Sequence, residues 1–281
     1  MAEGAVGYAF ERGVGILGVR MFALRMLAGS LVFVLPFSAQ QRGGGGGGFT
    51  QPDPIDFGDH AGWQSMFDGA TLKGWDGSTD VWRVENGAIV GESSPQKPSG
   101  TTYVIWQGGE PGNFELKAEI KLEGEGANSG IQYRSSRVGA AQVQGGPTPN
   151  PKFAKWNVKG YQADFDFANR YSGQLYEQGT PRGIIAWRGQ LVRTEQGKHP
   201  RLLSTVGDPD ALKAYIKVGD WNQMHVIARG HEMIHMINGH VMAIFIDDDP
   251  TMAVDKGVIA LQIEGRGNVK VSFRNLWLKS L

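Results

Sequence analysis

Apolar and polar residues alternate along much of this chain with a period of two. In residues 114–122, Phe114, Leu116, Ala118, Ile120 and Leu122 alternate with Glu115, Lys117, Glu119 and Lys121. Successive side chains of a strand point to opposite faces, so the segment predicts a strand with one buried and one wet face. Residues 221–229, 231–237, 240–246 and 258–263 continue the series. Asn86-Gly87 separates Val81-Trp82-Arg83-Val84 from Ala88-Ile89-Val90, and Asn238-Gly239 separates two further apolar runs. Both dipeptides predict tight hairpins, because both residue types tolerate positive φ. In the last strand, over 269–278, the apolar set Val269, Val271, Phe273 changes parity to Leu276, Leu278, which predicts a bulge near Arg274. Residues 139–155 read as a long loop and 195–215 as a loop or short helix. No internal repeat and no long amphipathic helix interrupts the strands. The expectation is an all-β fold, with residues 59–281 forming one domain.

Composition narrows the function classes. Lys plus Arg and Asp plus Glu balance at 28 each over 281 residues, which leaves no electrostatic footprint for nucleic acid. There is no cysteine, so disulfides, thiolate nucleophiles, thiolate metal sites and a lipoprotein anchor are excluded. Glycine is abundant at 42 residues and aromatics reach 10%. Many turns and many aromatic residues suit a sandwich whose open face stacks on rings.

Arg20 and Arg25 precede the apolar run 26–37, which Ser38 and Ala39 follow. A run of about 12 residues suits a signal-peptide core and is short for a membrane span. Residues 1–40 are therefore read as a signal peptide. Met21 is an alternative start that would make 1–20 a misassigned extension, and a retained anchor is the competing reading. The glycine run 43–48 marks residues 41–58 as a flexible tether. The expectation is a secreted or periplasmic protein with no stable membrane span after processing.

His231-Glu232-Met233-Ile234-His235 matches a zinc-protease pattern. That chemistry needs a helix, where residues four apart lie about 6 Å apart on one face. Here the motif runs into Asn238-Gly239. On a strand its histidines would stand about 13 Å apart, too far to share a metal. The motif is read as strand.

Two segments place polar residues on one side. Gln132 and Arg134 alternate with Ile131 and Tyr133, and Gln162, Asp164 and Asp166 with Tyr161, Ala163 and Phe165. Such a row is either a solvated, ion-paired surface or a groove for sugar hydroxyls. Trp156, Tyr171, Tyr176 and Trp187 could supply stacking faces. Asp164 and Asp166, two apart on one strand, have a carboxylate spacing that keeps direct glycoside hydrolysis open.

An ordered set of short strings resembles the 3-keto-disaccharide hydrolase family. It comprises Trp63-Gln64-Ser65-Met66-Phe67-Asp68-Gly69 with Leu72-Lys73-Gly74-Trp75, Trp82-Arg83-Val84-Glu85-Asn86-Gly87, and Asn128-Ser129-Gly130-Ile131-Gln132-Tyr133-Arg134. Then come Gly160-Tyr161-Gln162-Ala163-Asp164-Phe165-Asp166, Gly173-Gln174-Leu175-Tyr176, Trp221-Asn222, Gly257-Val258-Ile259-Ala260-Leu261-Gln262 and Phe273-Arg274-Asn275. The resemblance covers residues 63–280. It implies a two-sheet antiparallel β-sandwich of the concanavalin A-like jelly-roll type acting on an oligosaccharide or glycoside.

It also implies a particular chemistry. A ketone at C3 of a sugar acidifies the C2 proton; a base removes it, the enolate expels the C1 group, and water adds back. Asp164 or Glu177 is the expected base and Arg134 the expected enolate stabiliser. Gln132, Gln162, Asp166, Tyr176, Trp187, Asn222 and Glu264 are the expected substrate contacts. No cofactor is required by any motif. A divalent cation held by carboxylates and histidine could replace Arg134, although no ligand pattern stands out. This chain departs from the family where Gln162 and Asp164 replace Glu and Gln, and where Ile263-Glu264-Gly265 follows the Leu-Gln pair. Those departures keep a non-catalytic, lectin-like binding module open as an alternative.

Overall fold

The computed structural model describes residues 51–139, 150–265 and 267–281. The signal reading over 1–40, residues 41–50 of the expected tether and residues 140–149 of the expected loop lie outside the described residues. Asp53–Leu281 forms a compact unit. Its strands are β1 (Gln64–Ser65), β2 (Trp75–Asp76), β3 (Trp82–Glu85), β4 (Ala88–Ser93), β5 (Gly100–Trp106) and β6 (Phe114–Glu123). They continue with β7 (Asn128–Arg137), β8 (Val158–Asp166), β9 (Leu175–Gln178), β10 (Gly183–Ala186), β11 (Gln190–Glu195) and β12 (Arg201–Thr205). The last are β13 (Asn222–Arg229), β14 (Glu232–Ile237), β15 (His240–Asp248), β16 (Val258–Gly265) and β17 (Val269–Ser280). A 3-10 turn covers Pro151–Trp156, and one short helix, α1, covers Pro209–Lys213.

These strands build two stacked sheets. The larger runs β12-β11-β15-β14-β13-β6-β17-β4-β3, with β1 added to β17. The smaller runs β10-β9-β8-β7-β16-β5-β2. Every pairing is antiparallel except β11 with β15. The chain is thus all-β, as its alternation predicts, and a two-sheet sandwich, as the family resemblance implies. The core lies where the inner faces meet: Phe114, Leu116, Ala118 and Ile120 of β6 pack toward Ile131 and Tyr133 of β7 and Tyr161 of β8, all fully buried. Across this interface the Tyr133 hydroxyl meets His235 Nε2 at 2.8 Å and the Tyr161 hydroxyl donates to Asp247 at 2.5 Å. These contacts identify the inner face. By alternation they put Gln132, Gln162, Asp164, Gln262 and Glu264 on the outer face of the smaller sheet.

Local rules account for the turns. Asn86 (φ 51°) with Gly87 (φ 74°), and Asn238 (φ 50°) with Gly239 (φ 79°), adopt the left-handed pairs that a two-residue hairpin needs. The predicted bulge in β17 is present, with the register to β6 shifting between Arg274 and Trp277 and Asn275 at φ 50°. The wet face predicted for β6 is partly covered. Lys117 is 2% exposed, because its ammonium donates to the carbonyls of Asp56 and Asp59 and lies over the Trp63 ring. The segment 195–215 carries more structure than predicted, since β12 and α1 both fall within it. The histidine motif is strand β14. His231 lies exposed beside Asp248, whereas His235 is buried between Tyr133 and the Gln174 carbonyl. Gln174 O can only accept, so Nδ1 of His235 carries the proton and Nε2 accepts from Tyr133. Burial pushes His235 down to about 4, so the ring is neutral at physiological pH.

Candidate active site

On the outer face of the smaller sheet, side chains of β7, β8, β9, β10, β16 and the turn after β8 line a cavity of about 220 Å³. Its walls are Asn128, Gln162, Asp164, Tyr171, Gln174, Tyr176, Gln178, Ile184, Gln262 and Glu264. Five are amides and two are carboxylic acids. Asp164 forms the floor. Its carboxylate accepts from Gln162 Nε2 at 2.5 Å and from Gln174 Nε2 at 2.6 Å. The amide network extends outward, with Gln132 Nε2 donating to Gln162 Oε1, and Gln162 Nε2 reaching Gln262 Oε1 at 2.9 Å. Gln262 Nε2 in turn reaches the Tyr103 hydroxyl at 3.2 Å. Gly130 makes room for this packing: a Cβ there would stand 2.6 Å from Ala163 O and 2.8 Å from Gln162 Nε2.

The electrostatics of the floor are unusual for an aspartate. Burial raises Asp164 strongly, neighbouring Asp166 and Glu264 raise it further, and the two amide hydrogen bonds only partly offset this. The result is a carboxyl group pushed up to about 7. Burial, together with the charges of Asp164 and Glu264, raises Tyr176, so its hydroxyl keeps its proton and remains a donor at neutral pH. Two buried acceptors of wall residues, Asn128 Oδ1 and Gln174 Oε1, have no hydrogen-bond partner among the described residues.

The expected site residues divide into three groups. Gln162, Asp164, Tyr176 and Glu264 line the cavity, and Gln132 stands behind Gln162. Trp187 lies beside it, 42% exposed, with its ring centre 6.2 Å from that of Tyr171. The other four expected residues are elsewhere. Arg134 does not continue the polar row. It sits at φ 45° in a bulge, where the register of β7 to β8 shifts between Tyr133 and Ser136. That extra residue cancels the alternation. Its guanidinium enters the end of the sandwich and donates to the carbonyls of Gly112 (2.9 Å) and Gly230 (2.7 Å). Glu177 points inward and forms an ion pair with Arg182 at 2.6 Å. Asp166 is consumed by the turn after its own strand, accepting from the backbone N–H of Arg170, Tyr171 and Ser172. Asn222 lies on the other sheet and braces a turn through Lys217 and Asp220. The Asp164–Asp166 pair expected of a direct glycosidase is therefore not in the cavity; its second carboxyl group is Glu264. The carboxylate-and-histidine set considered for a divalent cation does not assemble among the described residues.

Asn128, Gln174, Gln178 and Gln262 were not among the expected contacts. Three of them occur in the strings that carry the family resemblance, and Gln262 shares the parity of Glu264. Those strings could have found the three, while Gln178 lies in none of them.

The placement of Arg134 yields a testable outcome. Arg134→Ala is expected to lower stability by about 2–3 kcal/mol, because it leaves buried carbonyls without donors. Any loss of turnover should follow only from that loss of folded protein. Thermal melting alongside turnover per folded molecule checks this; unchanged melting with lost turnover would return Arg134 to the site.

A family model described as 3-keto-alpha-glucoside-1,2-lyase-like domain matches residues 62–279. No curated protein matches the sequence. Among solved structures, the chain is similar to a candidate glycosyl hydrolase from Parabacteroides distasonis (18% identity, TM-score 0.46, 79% of this chain and 94% of that one). It is also similar to the carbohydrate-binding module CBM66 from Bacillus subtilis (15%, 0.41, 78% and 96%). A third likeness is to a non-specific endo-beta-1,3(4)-glucanase of family GH16 (12%, 0.42, 80% and 93%). These likenesses are too distant to carry an argument about chemistry.

Proposed function

Because this chain belongs to the 3-keto-alpha-glucoside-1,2-lyase-like domain family, we propose that it is a carbohydrate-active enzyme that cleaves 3-keto-glycosides in the Asp164 cavity. The observation that carries the reading is a buried carboxyl group held near 7 on the floor of an amide-lined pocket. A general base works best with a pKa near the operating pH. A structural carboxylate would normally be held low by its donors.

In this reading the ionised Asp164 takes the proton from C2. The electron pair moves to the C2–C3 bond and the carbonyl oxygen becomes an enolate, which the Tyr176 hydroxyl and wall amides stabilise by hydrogen bonding. The enolate then reforms the ketone, its electrons form the C1–C2 double bond, and the C1–oxygen bond breaks. Glu264 protonates the departing oxygen. Water adds to C1 while C2 regains a proton, and the net reaction is hydrolysis. The export segment expected at the N-terminus would place the enzyme in the periplasm or outside the cell.

Purified protein is expected to release the leaving group from 3-keto-glucosides and not from the unoxidised glucosides. Comparable activity on both would favour the second reading, direct glycoside hydrolysis, which the joint presence of Asp164 and Glu264 in one cavity supports. Sugar binding with no turnover of either would favour a lectin-like module.

A further inference from the structure

Two turns at the edge of the cavity are tied together by a buried arginine, and each presents an aromatic ring. The first follows β8. Asp166 accepts the N–H groups of Arg170 (3.0 Å), Tyr171 (2.7 Å) and Ser172 (2.9 Å), which fixes Tyr171 at the cavity wall. The second turn, residues 187–190, joins β10 to β11. It is closed by Gln190 N donating to Trp187 O at 3.1 Å and by Trp187 N donating to Gln190 Oε1 at 3.0 Å. Between them runs Arg188, 8% exposed. Its guanidinium donates to Ser172 O at 2.7 Å, Asn169 O at 3.3 Å and Pro209 O at 3.0 Å. Burying a guanidinium is unfavourable unless it is fully hydrogen-bonded. Here those bonds lock the two turns in one arrangement.

What that arrangement holds in place is an exposed indole. Trp187 is 42% exposed and stands next to Tyr171, with the ring planes 38° apart. A tryptophan on the outside of a sandwich normally packs its face or loses it to solvent. This one stands on a turn whose backbone is pinned by these bonds, and it reaches the rim of a polar cavity of about 220 Å³ through Tyr171. Its apolar surface is placed to meet the flat face of a second ring continuing out of the cavity.

We propose that Trp187 and Tyr171 form the subsite for the leaving group, and that the natural substrate carries a ring there, a second sugar or an aromatic aglycone. The proposal rests on the reading of the Asp164 cavity as a 3-keto-sugar site. It gives Asp166 and Arg188 a part as positioning residues, acting on substrate only through the two rings.

Steady-state rates of the wild type, Trp187→Ala and Trp187→Phe on methyl, p-nitrophenyl and glucosyl 3-keto-α-glucosides test it. For Trp187→Ala, kcat/KM is expected to fall about tenfold on a ring-bearing probe, equivalent to about 1.4 kcal/mol. The methyl probe should be unaffected, and Trp187→Phe should restore most of the loss. A loss confined to the p-nitrophenyl probe identifies an aromatic aglycone and one confined to the glucosyl probe a second sugar; either supports the subsite. Equal effects on all three probes, or none, overturn the subsite and leave the cavity reading standing. If the wild type turns over no probe, the cavity reading fails. Calorimetry with unoxidised p-nitrophenyl and methyl α-glucosides then decides the subsite separately. Weaker binding of the p-nitrophenyl sugar alone by Trp187→Ala supports it, and any other pattern overturns it.

Discussion

Asp164→Asn is expected to cut turnover of a 3-keto-glucoside by roughly 10²–10⁴-fold, the range for loss of a general base, while the protein remains folded. The melting behaviour should set this variant apart from a damaged protein. A carboxyl group held at about 7 in the fold, against an ordinary value near 3.8, binds its proton more tightly folded than unfolded. Its contribution to stability is therefore greatest below pH 3.8. It falls as pH rises from there to about 7, and above 7 the charged group remains a burden on the fold. Asparagine cannot ionise. It can still accept from one of the two glutamine amides, and the other amide can rotate to present its oxygen. The melting temperature of Asp164→Asn relative to wild type should therefore increase between pH 4 and pH 8, ending level with or above wild type. Activity in the wild type should rise with pH through about 7 as the base ionises. Unchanged turnover in the variant would remove Asp164 from the mechanism. A variant that melts far below wild type at pH 8 would mean that the aspartate serves the fold.

Arg182→Met is expected to have the largest effect on stability. Arg182 lies between the sheets and binds two buried carboxylates. Its Nε and Nη2 meet Glu177 at 2.6 and 2.8 Å, and its Nη1 and Nη2 meet Asp247 at 3.0 and 2.8 Å. Asp247 also accepts from Thr194 Oγ1 at 2.7 Å. Burial alone would raise Asp247, but the hydrogen bonds from Arg182, Tyr161 and Thr194 hold it below the usual carboxylate range. Removing one partner of a buried ion pair leaves uncompensated charge and costs about 3–5 kcal/mol. For a domain of this size that is a fall of roughly 6–20 °C in Tm. The pH dependence carries the sign. The stability that Asp247 gains from Arg182 is present above the ordinary aspartate value and is lost as pH falls through its depressed folded value. The deficit of Arg182→Met should therefore be largest near neutral pH and shrink in acid. Adding Glu177→Gln and Asp247→Asn to Arg182→Met should recover much of the loss, since a neutral cluster needs no counter-charge. A single variant that melts within about 1 kcal/mol of wild type would show the cluster to be well hydrated rather than buried. The same series separates Glu177 from catalysis, because Glu177→Gln should change melting and leave the pH–rate profile on keto-glycosides unchanged.

Much of the fold was legible because strand alternation and hairpin chemistry are local. The inward set of β6, the Asn86-Gly87 and Asn238-Gly239 turns and the bulge in β17 all follow from neighbouring residues. The same parity argument put Gln132, Gln162 and Asp164 on one face before any contact was known. It failed at Arg134, where a single residue at φ 45° reverses the alternation. Arginine carries no signal for that conformation; the bulge lies against Gly257, just before β16, where a Cβ would stand 2.5 Å from the Ser135 backbone, a close approach between segments distant in sequence. Asp166 and Asn222 resemble groove residues in sequence, yet their oxygens are taken by nearby backbone and side-chain donors, a choice made only when the turns close.

The sequence alone therefore determined the class of structure, the strands and most of the face that carries the cavity, since these depend on residues adjacent in the chain. The tertiary structure decided which polar residues meet. Gln262 reaches Gln162 across 100 positions of chain, and Arg182 brings Asp247 of the other sheet to Glu177, which alternation turns inward beside Tyr176. It also decided the chemistry of Asp164. Burial raises its pKa, and burial is set by the packing of strands distant in sequence, so no local pattern could report it.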